Sequence, residues 1–350
     1  VDPHGYVHIE RFQLEGTIPV WTFACADARL EKRIWMEHGA NITFIRYDLL
    51  QATASITLSL KALVNHRHHH GGRPPAGPMN VEPVAHGLRI TAFEGSDPFL
   101  LLSRGATFTP TYDWHRGFFL SAEAARGLDH WDDHLAVGEI QTTLEPGESL
   151  TLVAAVEDDA PPKLDGEAAY AERRSYERDL LKRNLGREAP PWIQQLVLAA
   201  DAFVVRRPLP DDSEGETIIA GYPWFGDWGR DTMISLPGLT LATGRAEVAE
   251  NLLRSYAHYV NQGMIPNRFP DEGDQPEYNT VDATLWYVEA IRATHASAEN
   301  DMLLRDLYPV IRSIIEAHRS GTRYGIHMDP DDGLLAAGEP EVGEGAPEEL

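Results

Sequence analysis

The chain has 350 residues, with 30 Lys and Arg set against 54 Asp and Glu, for a formal charge of −24. That length holds about two domains, each able to bury a core, and a composition 43% hydrophobic and 24% charged excludes a disordered or collagen-like chain. A surface this acidic repels phosphate backbones and anionic lipid, so nucleic acid and membrane are poor partners, whereas a neutral polyol is indifferent to the field.

The first residue is Val1 and no charged-then-apolar leader follows it, so the expectation is a processed start or an excerpt of a longer chain. No run of ~18 apolar residues is present to span a membrane. Up to about residue 157 the apolar pattern has period two. Ile56, Leu58, Leu60 and Ala62 alternate with Ser55, Thr57, Ser59 and Lys61, and Leu150, Leu152, Ala154 and Val156 alternate likewise. Asn41–Leu49 and Gly87–Phe93 are further short runs rich in strand formers, separated by Gly/Pro/Asp punctuation. Many short half-buried strands predict an antiparallel β-sandwich. Cys25, in this half, is the only cysteine, so no internal disulfide can form. Without an evident His partner it reads as a packing residue, with a mild lean to a cytoplasmic protein. His66-Arg67-His68-His69-His70 invites a metal, but no carboxylate or Cys sits at a ligand spacing, and a polar loop is the better reading. No metal and no cofactor are expected, since phosphate-binding glycine patterns are absent too.

Asp158-Asp159-Ala160-Pro161-Pro162 breaks the pattern and reads as a linker. Glu167–Arg183 is charged on most faces, which suits a solvent-exposed connecting helix. Beyond it the period becomes helical. Ile193, Leu196, Val197, Ala200, Phe203 and Val204 form one stripe; Ala249, Leu252, Leu253, Tyr256 and Val260 a second; Leu304, Leu307, Tyr308, Ile311, Ile314, Ile315 and His318 a third. The expected division is a β domain at 1–157, a linker and bridging helix at 158–187, and an all-α domain at 188–350. Asp329–Leu350 has eight acidic residues, four glycines and no basic residue, and reads as a frayed end.

Chemistry concentrates in two segments between helices. The first is Gly221-Tyr222-Pro223-Trp224-Phe225-Gly226-Asp227-Trp228-Gly229-Arg230-Asp231-Thr232. The second runs from Gly263 through Asn267, Arg268 and Asp271 to Glu277-Tyr278-Asn279-Thr280-Val281-Asp282. Trp and Tyr offer flat surfaces for the C–H faces of a sugar, while Asp, Glu, Asn and Arg bond its hydroxyls. Each residue also has a plainer reading. Asp231 suits the N-cap of a short helix over Met233–Leu241, with Arg230 a surface cation paired to it. Asn279 and Asp282 form a loose capping box, and Trp286 and Tyr287 read as core. Clustering of the aromatic, charged and amide residues in two neighbouring loops favours the ligand reading.

These segments, with Leu236-Pro237-Gly238-Leu239, Ala242-Thr243-Gly244-Arg245 and the weaker Asp332–Pro340 run, resemble the bacterial and archaeal glycogen debranching family of the amylo-α-1,6-glucosidase type. Pro19-Val20-Trp21 and Asn65-His66-Arg67 are similar to that family's N-terminal domain. The resemblance implies a β-sandwich followed by an (α/α)6 toroid, hydrolysis of α-1,6 branch points, and an α-glucan such as glycogen or a limit dextrin as partner. Only about half of the twelve toroid helices can be found. It implies substrate binding by Trp224, Trp228, Arg230, Asp231, Asn267, Arg268, Glu277, Tyr278 and Asn279. The family's general acid is expected shortly after Gly338-Glu339-Pro340 and its base near the far end of the barrel, where the sequence departs or ends. If a residue of this chain does proton chemistry, the expectation is Asp282 or Asp231, with substrate gripping the better assignment for both. Alternatives are another glucoamylase- or trehalase-like α-glucosidase, or a non-catalytic α-glucan-binding fragment.

Overall fold

The computed structural model describes residues 4–67, 78–157, 162–184, 189–209, 214–269, 275–297 and 301–337. They pack as two compact units, residues 1–179 and 180–350.

The first unit is antiparallel β structure, as its period-two sequence predicts. After a 3-10 turn at Gly5–His8, the strands are β1 (Ile9–Glu15), β2 (Ile18–Cys25), β3 (Ala28–Met36), β4 (Ile42–Gln51), β5 (Ile56–Val64), β6 (Asn80–Val84), β7 (Gly87–Thr91), β8 (Phe99–Leu102), β9 (Thr107–Phe119), β10 (Trp131–Leu144) and β11 (Ser149–Val156). A short helix α1 (Ser121–Ala125) separates β9 from β10. Eight strands form one sheet in the order β1-β2-β3-β4-β11-β8-β7-β6, and three form another in the order β5-β10-β9. The alternation works as intended on β5. Ile56, Leu58 and Leu60 turn toward Leu49, Leu144 and Leu150, while Leu88 and Ile90 meet Leu135 and Val137 in a neighbouring cluster. Cys25 lies exposed at the end of β2, contrary to the packing reading. Strand alternation alone could not tell its face at the last residue before a turn.

Helix α2 (Gly166–Asn184) differs from the solvent-exposed connector expected from its polarity. Its Ala169 and Tyr170 join Ile18, Val20, Trp35, Phe44 and Val153 in a core on the β2–β4 face. Glu177 is buried, accepting from the Thr17 backbone at 3.1 Å, from Arg173 Nε at 3.2 Å and from Arg174 Nη1 at 2.6 Å. A buried carboxylate is tolerable when so paired. Charge count alone cannot distinguish such an inward-facing cluster from a solvated face.

The second unit carries helices α3 (Pro191–Ala202), α4 (Gly229–Leu239), α5 (Ala246–Ala257), α6 (Asp282–Ser297) and α7 (Met302–Ser320). Their apolar stripes build one core: Met233 and Leu236 from α4, Leu252, Leu253 and Tyr256 from α5, Ala283, Tyr287 and Ile291 from α6, Leu307 and Ile314 from α7. The unit is not all-α. Strands β12 (Val204–Pro208), β13 (Glu214–Gly221) and β14 (Phe225–Asp227) form an antiparallel sheet, and β15 (His327–Met328) pairs with β16 (Leu335–Ala336). Val204, read as the end of the first stripe, instead opens β12; Val-Val followed by two arginines gives no period long enough to separate helix from strand. The β15–β16 hairpin likewise replaces the frayed reading at 329–337, while 338–350 lie outside the described residues.

Candidate functional site

β13 and β14 make a tight hairpin, with Ile219 opposite Asp227 and Gly221 opposite Phe225, so Trp224 sits in its turn. The chain then passes directly into α4, whose N-cap is Trp228. Asp231 therefore lies in the first helical turn and is not the N-cap, because the helix starts at Gly229, four residues before the apolar run at Met233. Its carboxylate is exposed and has no hydrogen-bond or ion-pair partner among the described residues.

The second loop is stitched to this helix start. Trp228 bridges to Arg268, and Arg268 bridges onward to Glu277, a miniature antiparallel ladder. Gly229 N donates to the Asn267 carbonyl at 2.9 Å, Asn267 N to the Glu277 carbonyl at 2.7 Å, and Glu277 N to the Arg268 carbonyl at 3.0 Å. The approach is so close that a Cβ on Gly229 would fall 2.1 Å from the Pro266 carbonyl oxygen. Asn267 is buried and both ends of its amide are engaged. Its Oδ1 accepts from Arg230 N at 3.3 Å, and its Nδ2 donates to Asn279 Oδ1 at 3.1 Å. The bond to Asn267 occupies the Asn279 side chain in place of the capping box.

Arg230 pairs with Asp282, not with Asp231: Nε and Nη2 both donate to Asp282 Oδ1, at 2.9 and 2.7 Å. The sequence-neighbour pairing fails because both side chains project from one helical turn, whereas Asp282 arrives at the start of α6, which packs on α4. Arg268 Nη1 donates to Glu277 Oε1 at 3.2 Å, and its guanidinium lies 6.0 Å from the Trp228 ring. Both ion pairs are about 40% exposed, available to solvent or a ligand. Tyr278 is differently placed. Its hydroxyl donates to the Tyr259 carbonyl at 2.7 Å, the Arg323 guanidinium lies 4.5 Å over its ring, and burial pushes its pKa up. In α6, Tyr287 is core as read, donating to the Leu253 carbonyl at 2.8 Å, but Trp286 is 40% exposed. The two are adjacent on a helix, so only one can face the core.

Beneath the loops lies a polar network that loop composition does not reveal. Asp227 is buried and accepts from Arg207 Nε and Nη2 and from Thr217 Oγ1, the last at 3.0 Å. The Tyr256 hydroxyl lies 3.5 Å from Thr217 Oγ1 and donates to Thr232 Oγ1 at 3.2 Å, and Thr232 donates to the Ile218 carbonyl at 3.2 Å. Burial, with the Asp227 charge nearby, drives the Tyr256 pKa above its ordinary value, so it stays a neutral donor. Asp227 and Thr232 bracket the Trp228–Asp231 segment, so the network anchors it at both ends. The only sequence signal was Asp227 inside the first motif; Arg207 comes from twenty residues upstream through β12–β13 pairing.

Elsewhere, His66 meets the edge of Phe93 and Arg67 Nε donates to the buried Asp132 at 3.1 Å. His68, His69 and His70 lie outside the described residues. Among the described residues no group of three His, Cys, Asp or Glu side chains is arranged to hold a metal ion.

A bacterial glucoamylase solved with acarbose shares the fold at a TM-score of 0.50 and 13% identity, covering 90% of this chain and 49% of that one. A family GH92 α-mannosidase from Bacteroides thetaiotaomicron aligns over 92% of this chain and 51% of its own, at 11% identity and a TM-score of only 0.29. The fold is thus similar to that glucoamylase's, with antiparallel sheets preceding a helical part. Sequence comparison is sharper. Residues 1–151 match the glycogen debranching enzyme N-terminal family and residues 198–344 the amylo-alpha-1,6-glucosidase family, so the chain belongs to the amylo-α-1,6-glucosidase family of glycogen debranching enzymes. The glycogen debranching enzyme of Saccharomyces cerevisiae is 33% identical over 121 residues, 32% of this chain and 8% of that enzyme. The chain thus spans under a tenth of that relative and about half of the glucoamylase chain.

Proposed function

We propose that this chain is part of a glycoside hydrolase acting on the α-1,6 branch points of glycogen-like α-glucans, in which it supplies the substrate-gripping loops of an (α/α)6 toroid. The observation that carries the reading is the stitched pair of loops, which presents Trp228, the Arg230–Asp282 pair, Asp231 and the Arg268–Glu277 pair on one set of elements. A sugar ring stacks its C–H face on Trp228 while neighbouring hydroxyls bond the charged heads. Trp224 is assigned to the wall of the same site; Asn267, Tyr278 and Asn279 hold the loop. On this reading 1–157 is the β domain, 158–187 the connection and 188–350 a partial glycosidase domain, in a cytoplasmic protein needing no cofactor.

An inverting hydrolase needs an acid and a base ~6.5–9.5 Å apart with a water between. Asp282 is engaged by Arg230, which suits gripping better than proton transfer; Asp231 is unengaged. Because Asp282 is so engaged, a second reading is that these 350 residues bind α-glucan without turning it over. Malto-oligosaccharide titration by calorimetry tests gripping: Arg230→Ala and Asp231→Ala are each expected to weaken binding about tenfold, ~1.4 kcal/mol. A limit dextrin carrying single α-1,6 glucose stubs tests the activity, which requires free glucose from the full-length protein. Binding without glucose release there would leave only the second reading, and no binding would sink both.

A further inference from the structure

One face of the eight-stranded sheet carries, toward its β1 edge, an aromatic row that shares no residue with the loops. Phe12, Trp21, Lys32 and Tyr47 are direct cross-strand neighbours on β1, β2, β3 and β4, so all four project from one face. The opposite face is the one packed by α2 through Ile18, Val20, Trp35 and Phe44. On the row's own face the three-stranded sheet covers the Leu49 and Leu150 end, leaving Phe12 at 55% and its neighbour Leu14 at 51% exposed. The Phe12 and Trp21 ring centroids are 5.4 Å apart. The Lys32 ammonium lies 5.8 Å from the Trp21 centroid and 5.8 Å from the Tyr47 centroid, and among the described residues it has no hydrogen bond and no ion pair. Burial alone lowers its pKa.

These features constrain the occupant. Sealing the face under an apolar protein surface would desolvate an unpaired ammonium, which is costly. A carboxylate-bearing partner could pair it but would approach a molecule carrying −24. A neutral polyhydroxylated chain meets neither obstacle. Its C–H faces suit the exposed Phe12 ring and the accessible parts of the half-buried Trp21 and Tyr47 rings, its hydroxyl oxygens accept from the ammonium, and its far side stays wet. We propose that the Phe12–Trp21–Lys32–Tyr47 row is a non-catalytic α-glucan-binding platform, separate from the loops. The choice of glucan over another neutral polysaccharide rests on the functional reading above.

Affinity electrophoresis of the 350-residue chain in gels containing glycogen, beside dextran and cellulose derivatives, tests this. Phe12→Ala and Lys32→Met change exposed or unpaired groups and should leave the fold intact by circular dichroism, while Trp21→Ala removes the central ring. Each is expected to weaken glycogen retardation at least fivefold, with Arg230→Ala leaving the platform's share in place. Platform variants retarded like the wild type would overturn the proposal, as would no retardation of the wild type. Loss on the platform with no effect of Arg230→Ala would uphold it and remove the loop reading instead. A dimer by sedimentation that Trp21→Ala disperses, without a change in retardation, would assign the face to a second copy and overturn the glucan assignment.

Discussion

Adding a single methyl at position 229 tests the tightest contact in the site. The Cβ of Gly229→Ala would meet the backbone carbonyl of Pro266 at 2.1 Å, and neither strand of the stitch can yield without breaking the bond to Asn267. The expected loss is ~1–3 kcal/mol of stability, read as a lowered urea midpoint. Oligosaccharide binding should weaken too, because Trp228 and Arg230 flank the displaced residue. Glu216 tests the opposite sign. It is half-buried on β13 and one carboxylate oxygen lacks a partner. Burial raises its pKa above the ordinary 4.5, and the Asn251 hydrogen bond and nearby Arg245 only partly oppose this, with Glu247 adding repulsion. Ionisation is therefore harder in the folded chain, and the resulting destabilisation grows as pH rises through the carboxylate range. Glu216→Gln should raise the thermal midpoint at pH 7, with the gain vanishing near pH 3. An equal gain at both pH values would assign the effect to packing.

At the level of elements, the β12–β13–β14 sheet holds the hairpin that feeds α4, and the Arg207–Asp227 pair fastens it. Removing one partner of a buried pair leaves an uncompensated charge. Arg207 reaches the surface, which screens part of the effect. Arg207→Met is therefore expected to cost ~2–3 kcal/mol, while Arg207→Met with Asp227→Leu should recover part of it in a double-mutant cycle. This sheet is also the clearest miss of sequence reading. Helices α3, α5 and α7 were legible because an apolar stripe repeats over about three turns or more, and β5 and β11 because alternation persists over most of the strand. Val204–Pro208 and Phe225–Asp227 are too short for any period to emerge. The site was legible as a set of residues but not as a set of pairs. Composition placed Arg230 and Asp282 in neighbouring loops, yet their ion pair depends on α4 packing against α6, which no local signal encodes. For Asn267, residue type gave the right address and left the amide's partners, Arg230 N and Asn279, invisible.

Over the whole molecule, a charge of −24 has two consequences of different kind. Mutual repulsion opposes the compact state, so added salt should raise the thermal midpoint as it screens that field. A neutral glucan displaces no counterions, so its dissociation constant should change less than about twofold between about 0.02 M and 0.5 M salt. A steep salt dependence of binding would point to an ionic ligand and against the polyglucan assignment. The ladder joining Trp228, Arg268 and Glu277 has a thermodynamic meaning as well. Loops that close around a ligand must surrender backbone freedom at the moment of capture, which subtracts from affinity. Here that freedom is already gone when folding ends, so the association is preorganised. Such a surface cannot mould itself to a ring whose hydroxyls point the wrong way. Discrimination between epimeric sugars should therefore come from rigidity, and substitutions that unlace the ladder should relax it before they abolish binding.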